Sequence, residues 1–329
     1  MTRCAKTMNL LVDRRWYGNH GIGRYSRELI TRLSQPSIDF LESGNPLSLT
    51  QIALSSFKSL NCKVFYSPGF VPLLGFGQQL ITIHDLILLR SDISDRSKSI
   101  YFNHFLLPLI RHGAIKIVTV SKSSQIEIAE WTGIQRDEIE IVTNGLSEPF
   151  IESGKRISST RERKSLIYIG NMKKHKNFQL FVDAVNLLPG SWRVILVGPN
   201  LNHNLIHSRH KVKKYWNISD SELAELYNHS EILVNTSSYE GFGMPFLEGG
   251  YLGCKIVHLG ILPSIQEIMD EDSFHTDGSS SPYLLADLLC HVSELEQIRE
   301  VRKNLSEKYS WEKSAKQLNK LISNFEKKD

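Results

Sequence analysis

Cysteine is scarce in this chain and widely scattered: Cys4, Cys62, Cys254 and Cys290 form no C-x-x-C pair. That spacing favours reduced thiols in a cytosol over disulfides or a zinc site. Long hydrophobic runs are also missing, none approaching the roughly 18 residues that cross a bilayer. The opening MTRCAKTMNLLVD turns acidic after a few apolar residues and has no secretory h-region. The expected compartment is therefore the cytoplasm. There is no internal repeat, no low-complexity segment and no RNA-binding, zinc-finger or helix-turn-helix signature, so nucleic acid is not the expected partner. A G-x-G-x-x-G with an acid about 20 residues further on is absent after the first strand, which argues against an NAD-linked oxidoreductase.

What is present fits a soluble globular chain. Its 329 residues, 41% hydrophobic and 22% charged, have room for two domains, each with its own core. The net charge of +4 hides an asymmetry: residues 1–126 carry 15 basic and 7 acidic side chains, and residues 127–329 carry 24 and 28. A basic half beside a mildly acidic one suits an anionic partner such as a membrane surface or lipid phosphate.

The chain is organised around NTSSYEGFGMPFLEGGYLG, residues 235–253. A buried strand, Glu231–Val234, leads into a polar turn, a Gly-x-Gly pair and a helix with Pro245 in its first turn. Gly241 and Gly243 let the backbone approach a ligand, and free N–H groups at a helix start suit an anionic oxygen. Glu240 at the mouth of the turn and Glu248 one helical turn on are acceptor-only groups. They suit the hydroxyls of a sugar and a ribose, with a diphosphate between them.

Elsewhere short apolar runs alternate with helical patterns, as in parallel βαβ units. In the first half the expected strands are Asn9–Asp13, Lys63–Ser67, Leu80–His84, Ile115–Val120 and Glu138–Asn144. Gln35–Leu60 reads as a loop plus a short helix, and Phe70–Phe76 as a loop. His84 and Asp85 fall at a strand's carboxyl end, where open α/β sheets bind ligands. Arg14, Arg15 and Arg24 bring cations close to the glycine turn at Gly21 and Gly23. Ser97–His112 reads as an aromatic-rich helix kinked by Pro108, either core or membrane-facing. Ser121 should cap the helix that follows.

The polar stretch 151–164 reads as a linker, after which the pattern restarts with strands Ser165–Gly170, Trp192–Gly198, Lys211–Ile218 and Lys255–Leu259. Ser219 or Asp220 should cap a helix with support from Glu222. His203, His207 and His210 have helical i, i+4, i+7 spacing. With no carboxylate or cysteine close by, they are not expected to hold metal. Asp270-Glu271-Asp272 reads as a solvated turn. The expected domains are 1–150 and 160–329.

Several segments, which follow one another along the chain in the right order, resemble the family 4 (group 1) glycosyltransferases. Glu240, Gly241, Phe242, Gly243, Pro245 and Glu248 match the E-x7-E signature. Gly21, Gly23 and Arg24 are similar to a G-I-G-R-Y segment, TIHDL to an H-D context, and Val120-Ser121 to a V-S-x-x-S element. Asn144-Gly145, Lys176-Asn177 and the Trp311 start of the last helix match further elements. The resemblance implies the GT-B fold, two Rossmann-like domains facing each other across a cleft: an acceptor domain over 1–150 and a nucleotide-sugar domain over 160–329. The last helix, 311–326, would pack back on the first domain. It implies retaining transfer of a hexose from a nucleotide diphosphate sugar, with His84, Lys176 and Glu240 at the transfer point. Gly23, Asn171, Asn217, Ile218, Gly241, Phe242, Gly243, Met244 and Glu248 would hold the donor, and Gly21, Arg24 and Asp85 would lie on the acceptor side. Asn171 stands where the family carries an arginine, and Lys173, Lys174, Arg14 or Arg24 would have to substitute.

The subgroup resembles bacterial mannosyl- and rhamnosyltransferases of surface-polysaccharide synthesis, which favours GDP-mannose over a UDP-sugar. It also favours a glycan or lipid-linked acceptor in lipopolysaccharide, O-antigen or capsule synthesis, with peripheral contact at the inner membrane through the basic first half. No metal or other cofactor is expected. A GT-B nucleotide-sugar epimerase and a non-catalytic protein binding nucleotide or lipid phosphate remain open beside this reading.

Overall fold

The computed structural model describes residues 10–18, 21–35, 37–39, 63–73, 78–90, 96–156, 162–296, 298 and 300–326. Cys4, Cys62 and most of the segment read as a loop plus a short helix lie outside them, as do residues 74–76 of the Phe70–Phe76 loop. The chain divides into two compact units, residues 1–144 with 310–329, and residues 145–309. The division falls at Asn144/Gly145, earlier than the expected boundary at 150. Residues 151–154, read as the start of a linker, instead complete the helix Glu148–Gly154 of the second unit, and Asn228 Nδ2 donates to Ser153 Oγ at 2.6 Å.

The first unit is built on a parallel sheet of β1 (Leu10–Val12), β2 (Ser37–Asp39), β3 (Val64–Ser67), β4 (Gln78–Thr82), β5 (Ile115–Thr119) and β6 (Glu140–Ile141). Their spatial order is β2-β1-β3-β4-β5-β6. The central strands are short apolar runs buried on both faces, the pattern of a parallel sheet covered by helices. Two expectations change here. Ser37–Asp39 pairs with β1 as an edge strand, too short to carry an alternation signal. The Leu80–His84 strand ends two residues earlier, so His84 lies in the connection beyond it. In Ser97–His112 the residues Tyr101–Leu106 are π-helical and run into the α-helix Leu107–Arg111. Pro108 supplies the cause: it has no N–H, its ring crowds the carbonyl one turn back, and a widened turn relieves both.

The last helix, Trp311–Glu326, belongs to this first unit. Trp311 packs edge-on to Tyr25 with ring centroids 6.0 Å apart. Asn319 accepts from the Ser34 N–H at 2.9 Å and donates to the Arg32 carbonyl at 3.1 Å.

The second unit repeats the architecture with β7 (Ser165–Ile169), β8 (Arg193–Val197), β9 (Lys211–Tyr215), β10 (Ile232–Asn235), β11 (Lys255–His258) and β12 (Ser273–His275). All are parallel, in the order β12-β11-β10-β7-β8-β9. β12 follows the acidic turn and is a short edge strand that no apolar run announces. Ser219 caps the helix Asp220–His229 in a capping box with Glu222, and Ser121 caps Lys122–Thr132, both as expected. His203, His207 and His210 do not share a helix face, because only His203–Leu205 is helical, as a single 3₁₀ turn.

At the amino ends of β10 and β11 a buried ion pair closes the sheet. Lys255 Nζ lies 3.2 Å from Glu231 Oε1 and donates to the carbonyls of Val292 and Leu295, each at 2.8 Å. Glu231 Oε2 accepts from the Lys164 N–H at 2.8 Å. All three ammonium donors and both carboxylate oxygens are thus satisfied, as burial of such charges requires.

Candidate active site

At the carboxyl edge of the second sheet the chain leaves β10 through Asn235 and turns through Thr236–Tyr239 to Glu240. Lys176 approaches from the 3₁₀ turn Lys174–Lys176 beyond β7, and its Nζ lies 2.6 Å from Glu240 Oε1. Both side chains are largely shielded, at 18% and 13% exposure. Burial pushes the Glu240 carboxyl up, but the Lys176 ammonium and the donors around it outweigh burial and hold it below its ordinary value.

The Lys176 segment is stapled to the turn. Thr236 Oγ1 donates to the carbonyls of Lys176 and Asn177 at 2.8 and 3.0 Å, and the Tyr168 hydroxyl donates to the Lys176 carbonyl at 3.0 Å. The Ser238 N–H donates to the His175 carbonyl at 2.9 Å. Asn235 Nδ2 donates to Glu240 Oε1 at 3.1 Å, and Ser264 Oγ to the Glu240 carbonyl at 2.8 Å. Sequence reasoning singled out Lys176 and Glu240 but not Tyr168, Asn235, Thr236 or Ser264. The one signal available for Asn235 was a polar residue closing an apolar strand.

Glycine is required where the turn enters the helix Met244–Tyr251. Gly243 has φ +95°, and a Cβ there would meet the buried Phe246 ring at 2.4 Å. Phe242 packs edge-on to Tyr309 with centroids 5.6 Å apart, and Pro245 sits in the first helical turn. Gly243→Ala is therefore expected to cost on the order of 1–2 kcal/mol from backbone strain alone, with ring displacement added. Thermal unfolding checks this; a variant melting with the wild type would refute it.

The two glutamates of the signature differ in setting. Glu240 holds a cation, whereas Glu248 is buried and accepts from the Tyr227 hydroxyl at 3.3 Å. Asn171 closes a local turn, its Oδ1 accepting from the Lys173 N–H at 3.0 Å. Asn217, at φ +54°, and Ile218 follow the carboxyl end of β9. Gly241 and Met244 flank Phe242 and Gly243 on the turn. A cavity of about 540 Å³ lined by Asn186, His203, His207 and His210 lies elsewhere, beyond the C-terminal end of the helix Phe178–Leu187. Among the described residues, no group of three or more His, Cys, Asp or Glu is placed to hold a metal ion.

The remaining predicted residues lie in the first unit. His84 Nε2 is 2.8 Å from the Pro68 carbonyl, which can only accept, so Nε2 carries a proton. The imidazole packs edge-on to Tyr25 with centroids 4.8 Å apart. Asp85 Oδ1 accepts from the Ile87 N–H at 3.0 Å. Gly21 opens the helix Gly21–Ile30 and is exposed, and Arg24 is half-buried on it. A Cβ on Gly23 would lie 2.2 Å from the Gly18 carbonyl oxygen, so the turn closes only on glycine. Arg15 departs from expectation: its buried guanidinium is held by Asp13 through two bonds of 2.8 Å and is already neutralised. It cannot offer a phosphate its charge without breaking that pair.

Residues 151–309 match the family model described as glycosyl transferases group 1. An uncharacterized glycosyltransferase of Methanocaldococcus jannaschii is 23% identical over 68% of this chain and 63% of its own length. The O-antigen chain mannosyltransferase RfbU of Salmonella typhimurium is 23% identical over 67% of this chain and 61% of its own. The chain thus spans less than two thirds of either relative. Among solved structures, Anabaena HepE, crystallised with UDP and glucose, superposes with a TM-score of 0.66 at 14% identity, over 96% of this chain and 99% of that one. The two parallel-sheet units are those of the GT-B fold. Residues 151–309, just under half of the chain, thus form a domain of the group 1 glycosyl transferase type.

Proposed function

We propose that the protein transfers a hexose from a nucleotide diphosphate sugar to a glycan or lipid-linked glycan, with retention at the anomeric carbon. The observation that carries this reading is the Lys176–Glu240 pair beside the glycine turn. It sets a shielded cation and a carboxylate at the carboxyl edge of the sheet, next to the backbone amides of a helix start. An ammonium has three donors; one is given to Glu240, and the others are available to the donor's phosphates. Glu240 accepts from hydroxyls of the transferred sugar.

In the reaction the bond from the anomeric carbon to the diphosphate oxygen breaks as the acceptor hydroxyl attacks the same face. The departing diphosphate takes the acceptor's proton. Negative charge builds on the leaving oxygen, and Lys176 with the amides at Phe242–Met244 stabilises it where it develops. Asn171 leaves one cation fewer than the family pattern, which makes Lys176 the principal charge.

GDP-mannose is the favoured donor, supported by the mannosyltransferase named among the relatives; HepE was crystallised with UDP and glucose. The work takes place in the cytoplasm, at the inner membrane face. The basic first half supports a lipid-phosphate surface, and among the described residues no helix is long and apolar enough to cross a membrane. Thermal-shift screening against UDP-, GDP- and dTDP-sugars, followed by product analysis with and without acceptor, tests the reading. Stabilisation by GDP-mannose and transfer that survives EDTA are expected. Activity lost to EDTA and restored by Mn²⁺ would overturn the metal-free mechanism, and isomerised donor without acceptor would identify an epimerase instead.

A further inference from the structure

We propose that Asn235, the last residue of β10, is a positioning residue that orients the Glu240 carboxylate and directs its second oxygen to the ligand. The inference rests on the glycosyl-transfer reading for what that ligand is, but the geometry stands without it.

Asn235 is buried, and its amide orientation is determined by its neighbours. Oδ1 accepts from the Ser237 N–H at 2.8 Å. A backbone N–H can only donate, so the carbonyl oxygen must face Ser237 and the NH₂ must face the other way. There it meets Glu240 Oε1 at 3.1 Å, the same oxygen that Lys176 Nζ approaches at 2.6 Å. Among the described residues both of these side-chain bonds to the carboxylate fall on Oε1. That oxygen is occupied and pinned from two sides. Oε2 takes neither of these bonds and can accept from a ligand hydroxyl, the Ser237 hydroxyl also favouring the ionised carboxylate; its direction follows from the plane that Asn235 and Lys176 impose.

The amide also suits the electrostatics better than any other side chain of its size. Among the described residues Lys176 is the cation paired with this carboxylate, and Tyr168, on β7, is a further titratable group that feels its charge. A second cation at 235 would draw Glu240 out of reach, and a carboxylate would repel it. A neutral donor held by its own backbone orients Glu240 without altering the net charge at the site.

Asn235→Asp separates positioning from structure. It is isosteric, and its carboxylate still accepts from the Ser237 N–H, so the turn is retained. Only the donor facing Glu240 is lost, replaced at neutral pH by a like charge. We expect kcat to fall at least tenfold at pH 7 with donor KM changed by less than threefold. Activity should recover as the pH falls, because the two carboxylates then share one proton and the introduced acid donates to Glu240 as the amide did. A pH profile and kcat superimposable on the wild type, or a loss confined to KM, would overturn the proposal.

The reading of function is tested separately by the wild type, which must release sugar from one of the UDP-, GDP- or dTDP-sugars. If it does not, that reading fails, and Asn235 is judged by titration alone. The ¹³Cδ resonance of Glu240, identified by its loss in Glu240→Gln, should titrate higher in Asn235→Asp than in the wild type. An unmoved titration would refute the role of Asn235 whatever the activity.

Discussion

Replacing Lys176 by alanine is expected to slow transfer by roughly 10²–10³, on the order of 2.7–4 kcal/mol, the cost of removing one preorganised donor from developing charge. The loss should appear in kcat, because the ammonium counts most when the leaving diphosphate carries its full charge. A second signature follows from the pair itself. In the wild type the folded-state pKa of Glu240 lies below its unfolded value. Its contribution to stability is therefore complete above the unfolded value and is lost as pH falls through the folded one. Without Lys176 the strongest influences holding the carboxyl down are lost while burial still raises it, so its folded-state pKa rises relative to the wild type. Lys176→Ala should therefore be least stable relative to the wild type at neutral pH and close the gap on acidification. Turnover by initial rates and stability by thermal unfolding across about pH 4–8 measure both effects. An unchanged rate would place the phosphate clamp elsewhere.

The other large effect lies at the opposite end of the same strands. Lys255→Met removes the cation from a pair with 3% and 1% side-chain exposure and leaves Glu231 charged in the interior. Breaking such a pair from one side costs about 3–5 kcal/mol. For a unit of this size that lowers the unfolding midpoint by about 6–20 °C. The double variant Lys255→Met/Glu231→Leu should recover most of the loss, because no uncompensated charge remains. Differential scanning calorimetry of the three proteins decides it; a midpoint untouched in the single variant would mean the pair contributes nothing. Since Glu231 and Lys255 sit at the amino ends of β10 and β11, donor KM should be unaffected in whatever fraction folds.

Both outcomes bear on how much could be read before the structure. The central strands were legible because parallel strands buried on two faces must be continuous apolar runs, as in LIYI and VILV. The glycine turn was legible because Gly243 and Pro245 are demanded by backbone geometry, which leaves a mark at fixed positions. The edge strands Ser37–Asp39 and Ser273–His275 were not, since three residues pairing on one side carry no period. Nor was the ion pair. Glu231 and Lys255 each read as the first residue of a strand, and only parallel registry brings them together. Arg15 misled for a related reason: a cation beside a glycine turn looks available until a partner two residues away is seen to hold it. Asn235 was hidden because what matters is which way its amide points, a property of the folded turn.

The helix Trp311–Glu326 has a consequence for how the protein is made. Residues 145–309 form one unbroken stretch whose strands and helices can assemble as soon as they leave the ribosome. The earlier-synthesised unit cannot finish first. Its Tyr25 and Ser34 wait for partners encoded nearly three hundred positions later, so the half that is translated first is the half that matures last.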